Sequence, residues 1–180
     1  MKEFNAIERI GDIMQAVQKG VLLTTKSGDT VNTMTISWGA AGIEWGKPVF
    51  IAFLREGRFT RTLLEKNQEF TVNMAMDPAQ AKTLMQAGRS SGRDGSKIEK
   101  LGLTLADAQE ISVPAIREFP MTLECKVVSR VMQGEDTYTE HGKGFLKTMY
   151  PQDVPSTEYG ANRDFHVIYV AEIVKAYVIE

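Results

Sequence analysis

The segment Val31-Asn32-Thr33-Met34-Thr35-Ile36-Ser37-Trp38-Gly39 predicts a β-strand. Its residues alternate, Met34, Ile36 and Trp38 against Thr33, Thr35 and Ser37, which is the two-residue period of a half-buried strand. Amide, hydroxyl and backbone groups along it could read the hydrogen-bonding edge of a planar ring, with Trp38 as a wall. An ordinary amphipathic strand with a wet polar face explains the same pattern. On either side, Val21 to Thr25 predicts a strand, Ser27-Gly28-Asp29 a turn, and the apolar run Pro48 to Leu54 a strand buried on both faces.

The same period returns further along. Phe70, Val72 and Met74 mark another strand, and Met121, Leu123, Cys125 and Val127 alternate against Thr122, Glu124 and Lys126. Near the end, Phe165, Val167, Tyr169 and Ala171 alternate against His166, Ile168, Val170 and Glu172. Helical signals are short. Ile7, Ile10, Met14 and Val17 share a helical face from Asn5 to Gln18, with Asn5 placed to cap it and Gly20 beyond its end. Thr60 to Lys66 predicts a second helix, Asp77-Pro78 a third closing at Gly88, and the capping box at Ser96 a fourth closing at Gly102. The segment from Gly134 to Asn162 has no period and predicts a long excursion. Strands at both ends with short helices between them predict a mainly β protein, an antiparallel barrel with decorating helices in one domain over residues 1–180.

Composition narrows the chemistry. The 180 residues carry 21 Lys and Arg against 23 Asp and Glu, a net charge of −2. That balance predicts no attraction to nucleic acid or to an anionic membrane. The longest strongly apolar run, Val49 to Leu54, is far short of the roughly 20 residues that span a bilayer, and the start of the chain lacks the apolar core of a signal peptide. A single cysteine, Cys125, excludes an internal disulfide, and no metal-binding spacing includes His141 or His166, so no metal site and a cytoplasmic location are expected. No G-x-G-x-x-G follows a strand, no phosphate-binding P-loop motif occurs, and no nucleophile elbow is present. Cys125, on an apolar strand face, reads as a packed and inert thiol.

Other clusters could carry function. Arg55-Glu56-Gly57-Arg58-Phe59-Thr60 joins a buried strand to a helix start, where backbone N–H groups, Arg58 and the Thr60 hydroxyl could hold a phosphate. A capped helix with solvated arginines is the plainer reading. Ser90-Ser91-Gly92-Arg93-Asp94-Gly95-Ser96-Lys97 could cradle another side of the same anion, with Lys97 as a point charge, or could simply link two helices. His166, on a strand among apolar residues, could be a structural histidine or a functional one.

These motifs recur together in a known family. Asn32-x-Met34-Thr35-x-Ser37-Trp38-Gly39, Lys47-Pro48, Arg55-x-x-Arg58-x-Thr60 and Phe70-Thr71-Val72-Asn73 resemble the flavin reductase-like FMN-binding split-barrel family, in its flavoredoxin-like branch. Ser91-Gly92-Arg93-Asp94-x-x-Lys97, Gly102-Leu103, Leu123-Glu124-Cys125-Lys126 and Asp164-x-His166-x-x-Tyr169-x-x-Glu172-Ile173 continue the resemblance over about residues 15–178. It implies a six-stranded antiparallel split β-barrel, a homodimer, and non-covalent FMN near the subunit interface. Asn32, Met34, Thr35, Ser37 and Trp38 would line the isoalloxazine ring. Arg55, Arg58, Phe59 and Thr60 would hold the phosphate, with Ser91, Gly92 and Lys97 beside it. His166 would be a catalytic residue on the side where the nicotinamide docks. Ala171 stands where such proteins commonly carry glycine.

The activity implied is NAD(P)H-dependent flavin reduction, with a transient nicotinamide nucleotide passing a hydride to flavin N5. An electron-transfer protein with tightly bound FMN and a protein redox partner is the alternative. A non-catalytic flavin-binding domain is a further one.

Overall fold

Leu23 lies beside Val72, Val72 beside Leu123, and Leu123 beside Ala176, so one apolar row crosses four strands in register. Leu23, Val72 and Leu123 are wholly buried. This is the alternation read from the sequence, turned inward strand after strand. A computed structural model describes residues 1–149 and 164–180, with every strand pair antiparallel.

Its strands are β1 (Lys2–Glu3), β2 (Val21–Ser27), β3 (Thr30–Ile36), β4 (Gly39–Glu44), β5 (Lys47–Arg55), β6 (Glu69–Met74), β7 (Leu105–Ala106), β8 (Ala115–Ile116), β9 (Met121–Met132) and β10 (His166–Val178). Its helices are α1 (Ile10–Lys19), α2 (Phe59–Leu64), α3 (Ala81–Arg89), α4 (Lys97–Lys100) and α5 (Glu140–Met149). The main sheet runs β3-β2-β6-β9-β10-β5-β4, with β1 added to β10, while β7 and β8 pair apart from it. It has 8 strands; the additions to the expected barrel are the hairpin strand β4 and the two-residue β1.

Phe50, Phe70, Leu54, Met74 and Tyr169 fill the space that the sheet encloses, with Ile13 and Val17 of α1 packed against them. A second cluster under α3 and α4 contains Leu22, Leu84, Ala87, Ile116 and Phe119. Cys125 is buried, and its surroundings hold the thiol protonated far above its usual range. Buried Glu124 accepts hydrogen bonds from the Gln109 and Glu110 amides, both at 2.7 Å, and so ties the preceding loop to β9.

Several expectations change. The first helix begins at Ile10 rather than near Asn5, whose carboxamide oxygen instead accepts from the Ile7 amide at 2.9 Å and caps a preceding turn. Ile13, not Ile10 or Met14, is the residue that α1 buries fully beside Val17. The strand at Pro48 to Leu54 is not buried on both faces: Phe50, Ala52 and Leu54 point into the core while Ile51 and Phe53 are half-buried. The third helix runs past Gly88 to Arg89. The Ala171 methyl is fully buried between Phe50 of β5 and Val127 of β9 in the sheet register. The excursion after Gly134 contains α5, which carries His141; its part at 150–163 lies outside the described residues. Among the described residues no helix is long and apolar enough to cross a membrane, and no group of His, Cys, Asp and Glu is placed to hold a metal.

Candidate functional site

Asn32 and Thr33 of β3 are not wet: both are buried, on opposite faces of the strand, and each has hydrogen-bond partners on its own side. The Asn73 carboxamide NH2 donates to Thr24 Oγ1 and Thr71 Oγ1, and its oxygen accepts from the Ile116 amide. Thr24 Oγ1 lies 3.1 Å from Thr33 Oγ1, and Thr33 Oγ1 donates to the Leu23 carbonyl. On the opposite face Asn32 Nδ2 donates to Thr60 Oγ1 at 2.7 Å, and Thr25 Oγ1 donates to the Thr60 carbonyl at 3.3 Å. Buried polar groups cost free energy unless paired, so the two bonds to Thr60 fix α2 against β2 and β3 in one position.

That position opens a solvent-accessible cleft between β3, α2, α3 and the loop before α4. Asn32, Met34, Thr35, Arg58, Phe59, Thr60, Ser91, Gly92 and Lys97 line it, together with Arg93. The cationic lining of Arg58, Arg93 and Lys97 contains no carboxylate, and none of the three forms a salt bridge among the described residues. Positive groups gathered without neutralising acids make a site for an anion. Arg93 donates to the Gly57 carbonyl at 3.0 Å, and its guanidinium lies 5.6 Å from the Phe59 ring centre. Thr35 lines the cleft, but its hydroxyl proton goes to the Leu84 carbonyl at 2.6 Å.

Two further features shape the floor. Lys97 is only 4% exposed and donates to the Ala87 carbonyl at 2.8 Å. Burial disfavours its ammonium and brings its pKa down to about 8. Gly92 approaches so closely that a Cβ there would lie 2.1 Å from Asn32 Oδ1 and 2.6 Å from Phe59 Cδ1. The cleft keeps its depth because that Cβ is missing.

Ser37, Trp38, Arg55 and His166 stand outside this lining. Trp38 lies beyond the end of β3, nearly half-exposed, with its ring 5.0 Å from His166. Phe53 meets His166 edge-on at 6.4 Å. Burial and the nearby Arg55 guanidinium push the His166 pKa down to about 4, against a smaller upward pull from Asp164. His166 is therefore neutral at pH 7 and offers a polar aromatic surface rather than a charge. Arg55 faces Asp164 at 3.6 Å, and Asp164 also accepts from the Gly57 amide at 2.5 Å. Arg93 and Asp164 occur in the sequence motifs but carry no separate signal of their place. Ser90, Gly88 and Gly57, which also line the cleft, have none beyond polarity and small size.

Residues of this kind fit a phosphate monoester. The Lys97 pKa gives the fit a pH signature, because binding a phosphate stabilises the ammonium and raises its pKa. Affinity for a phosphate monoester is therefore expected to be highest between about pH 6, where such phosphates take their second proton, and about 8. It should fall as pH rises through that upper value. In Lys97→Met the alkaline fall should disappear; a fall of the same size in the variant would remove Lys97 from the site. Equilibrium titration across pH measures both.

Comparison with known proteins bears on the family and the fold. A family model described as flavin reductase-like domain matches residues 14–180. An uncharacterized protein of Archaeoglobus fulgidus is 31% identical over 121 residues, which is 63% of this chain and 67% of that one. Among solved structures, the flavoredoxin of Desulfovibrio vulgaris (Miyazaki F) superposes with a TM-score of 0.65 at 22% identity, over 89% of this chain and 69% of that one. An FMN-binding domain of a flavin reductases-like enzyme from Shewanella baltica OS155 gives 0.61 at 18% identity, over 92% and 73%. At these identities the two structures establish the split-barrel fold.

Proposed function

The chain belongs to the flavin reductase-like family, and from that premise we propose that it is an FMN-binding oxidoreductase that uses NAD(P)H as a transient reductant. One observation carries the reading. The cleft gathers Arg58, Arg93 and Lys97 with no acid in its lining and is continuous with Asn32, Met34 and Thr35 of β3. A phosphate at one end and a planar ring along the strand match those two surfaces. Bound FMN supplies what the side chains lack, a group able to accept and release a hydride or single electrons.

The chain's own residues do the holding. Arg58 and Arg93 present guanidinium donors to the phosphate, and Lys97 adds a charge whose mobility its bond to Ala87 restricts. Phe59 and Gly92 set the width of the cleft, while Asn32, tied to Thr60, fixes the edge nearest the loop. Trp38 and His166 form an aromatic pair next to the end of β3, where a nicotinamide could stack. The neutral His166 ring adds no charge there.

Steady-state oxidation of NADH and NADPH, with and without free FMN, tests the reading. Turnover that depends on FMN is expected. Tight FMN with negligible oxidation of either nucleotide would move the assignment to an electron carrier with a protein redox partner.

A further inference from the structure

Gly57 sits between two charged side chains that reach it from opposite parts of the fold. Its N–H donates to Asp164 Oδ2 at 2.5 Å, and its carbonyl accepts from Arg93 Nη1 at 3.0 Å. These groups belong to the two peptide planes on either side of the Gly57 Cα. Holding both planes fixes φ and ψ at the residue type with the most freedom to lose. The next residue, Arg58, caps α2 with extended backbone and lines the cleft. Further bonds hold the same region: the Glu56 amide donates to the Phe165 carbonyl at 3.0 Å, and Arg55 faces Asp164 at 3.6 Å. The fit around Gly57 is close, since a Cβ there would lie 2.9 Å from Asp164 Oδ2.

We infer that Asp164 is a positioning residue of the phosphate cleft: it holds the Gly57 backbone so that Arg58 and Arg93 stand at the spacing a terminal phosphate needs. This rests on the FMN reading above and adds to it a residue that does not line the cleft. Electrostatics alone gives the opposite expectation. A carboxylate close to a phosphate dianion repels it, so a purely electrostatic role would let Asp164→Ala bind FMN more tightly. Positioning makes the same variant bind FMN more weakly, and only where a phosphate is present to be gripped.

FMN and riboflavin are titrated into the full chain, wild type and variants, by quenching of flavin fluorescence, with thermal melts alongside. Asp164→Ala is expected to lose about tenfold in FMN affinity, the size of one lost charge-assisted hydrogen bond. Its riboflavin affinity should stay within about twofold, because the fixed spacing serves only the phosphate. Asp164→Asn keeps a carbonyl acceptor for the Gly57 amide and should stay within about threefold of wild type. Gly57→Ala, which displaces the carboxylate from the other side, should repeat the Asp164→Ala pattern, so the inference stays testable if one variant folds poorly.

Asp164→Ala with unchanged or tighter FMN binding overturns the inference. So does an equal loss for riboflavin, which would make Asp164 a general structural residue, or an Asp164→Asn variant as weak as Asp164→Ala. Wild-type protein that takes up neither flavin overturns the FMN reading itself, together with everything built on it.

Discussion

Arg58→Ala is expected to lower FMN affinity by roughly ten- to a hundredfold, through loss of a charge-assisted partner worth about 1.5–3 kcal/mol. Arg58 is half-buried at the cap of α2, with its side chain in the lining of the cleft. It forms no salt bridge among the described residues, so removing it breaks no internal ion pair. The fold should hold, and the loss should fall on flavins that carry a phosphate. Parallel titration of FMN and riboflavin measures it. Unchanged FMN affinity, or an equal loss for both flavins, would place the phosphate elsewhere.

Gly92→Ala should be more damaging than its single methyl suggests. The new carbon would fall 2.1 Å from Asn32 Oδ1 and 2.6 Å from Phe59 Cδ1, inside contact distance of both. Asn32 cannot move away cheaply, because it is buried and its amide holds Thr60 Oγ1 at 2.7 Å. Either the loop carrying Ser91 and Arg93 lifts out of the cleft, or the Asn32–Thr60 bond breaks and α2 shifts. Overpacking of this kind costs about 1–3 kcal/mol of stability. Each outcome also disturbs groups on opposite walls of the site, so FMN retention should fall by at least an order of magnitude. A thermal melt and an FMN titration read the two effects. A variant with wild-type melting and wild-type FMN affinity would contradict the packing described around Gly92.

The two variants draw on different kinds of information. Arg58 is legible in the sequence because charge, glycine and threonine meet at a strand-to-helix junction. Gly92 is legible as part of a polar glycine loop, but its contact with Asn32 is not, since β3 and that loop meet only in the folded chain. The long strands are legible because one face of each is buried and the side chains keep the two-residue period. β4 is not. Gly39-Ala40-Ala41-Gly42 has neither β-branched residues nor alternation, and it is a strand because β5 offers it a register, from Gly39 beside Ala52 to Glu44 beside Lys47.

Local signals alone misplace the first helix. Asn5 can cap a turn as readily as a helix, and only packing against the sheet shows that Ile13 is the buried anchor. Asp164 illustrates the limit more strongly. It meets Gly57 because β10 runs antiparallel to β5 with His166 opposite Arg55, a register set by the whole sheet. Burial of Asn32 and Thr33 likewise depends on other elements: Asn32 bonds Thr60 of α2, and Thr33 lies against Thr24, which Asn73 of β6 bonds. An alternating strand looks the same in sequence whether its polar face meets water or other polar side chains.

Equilibrium titration of the purified chain with FMN, followed in the visible flavin spectrum and repeated with riboflavin, decides whether the cleft holds a flavin by its phosphate. The expected result is saturable uptake of FMN with a perturbed flavin spectrum, and clearly weaker binding of riboflavin. A protein that is colourless when isolated and takes up no added FMN would contradict it.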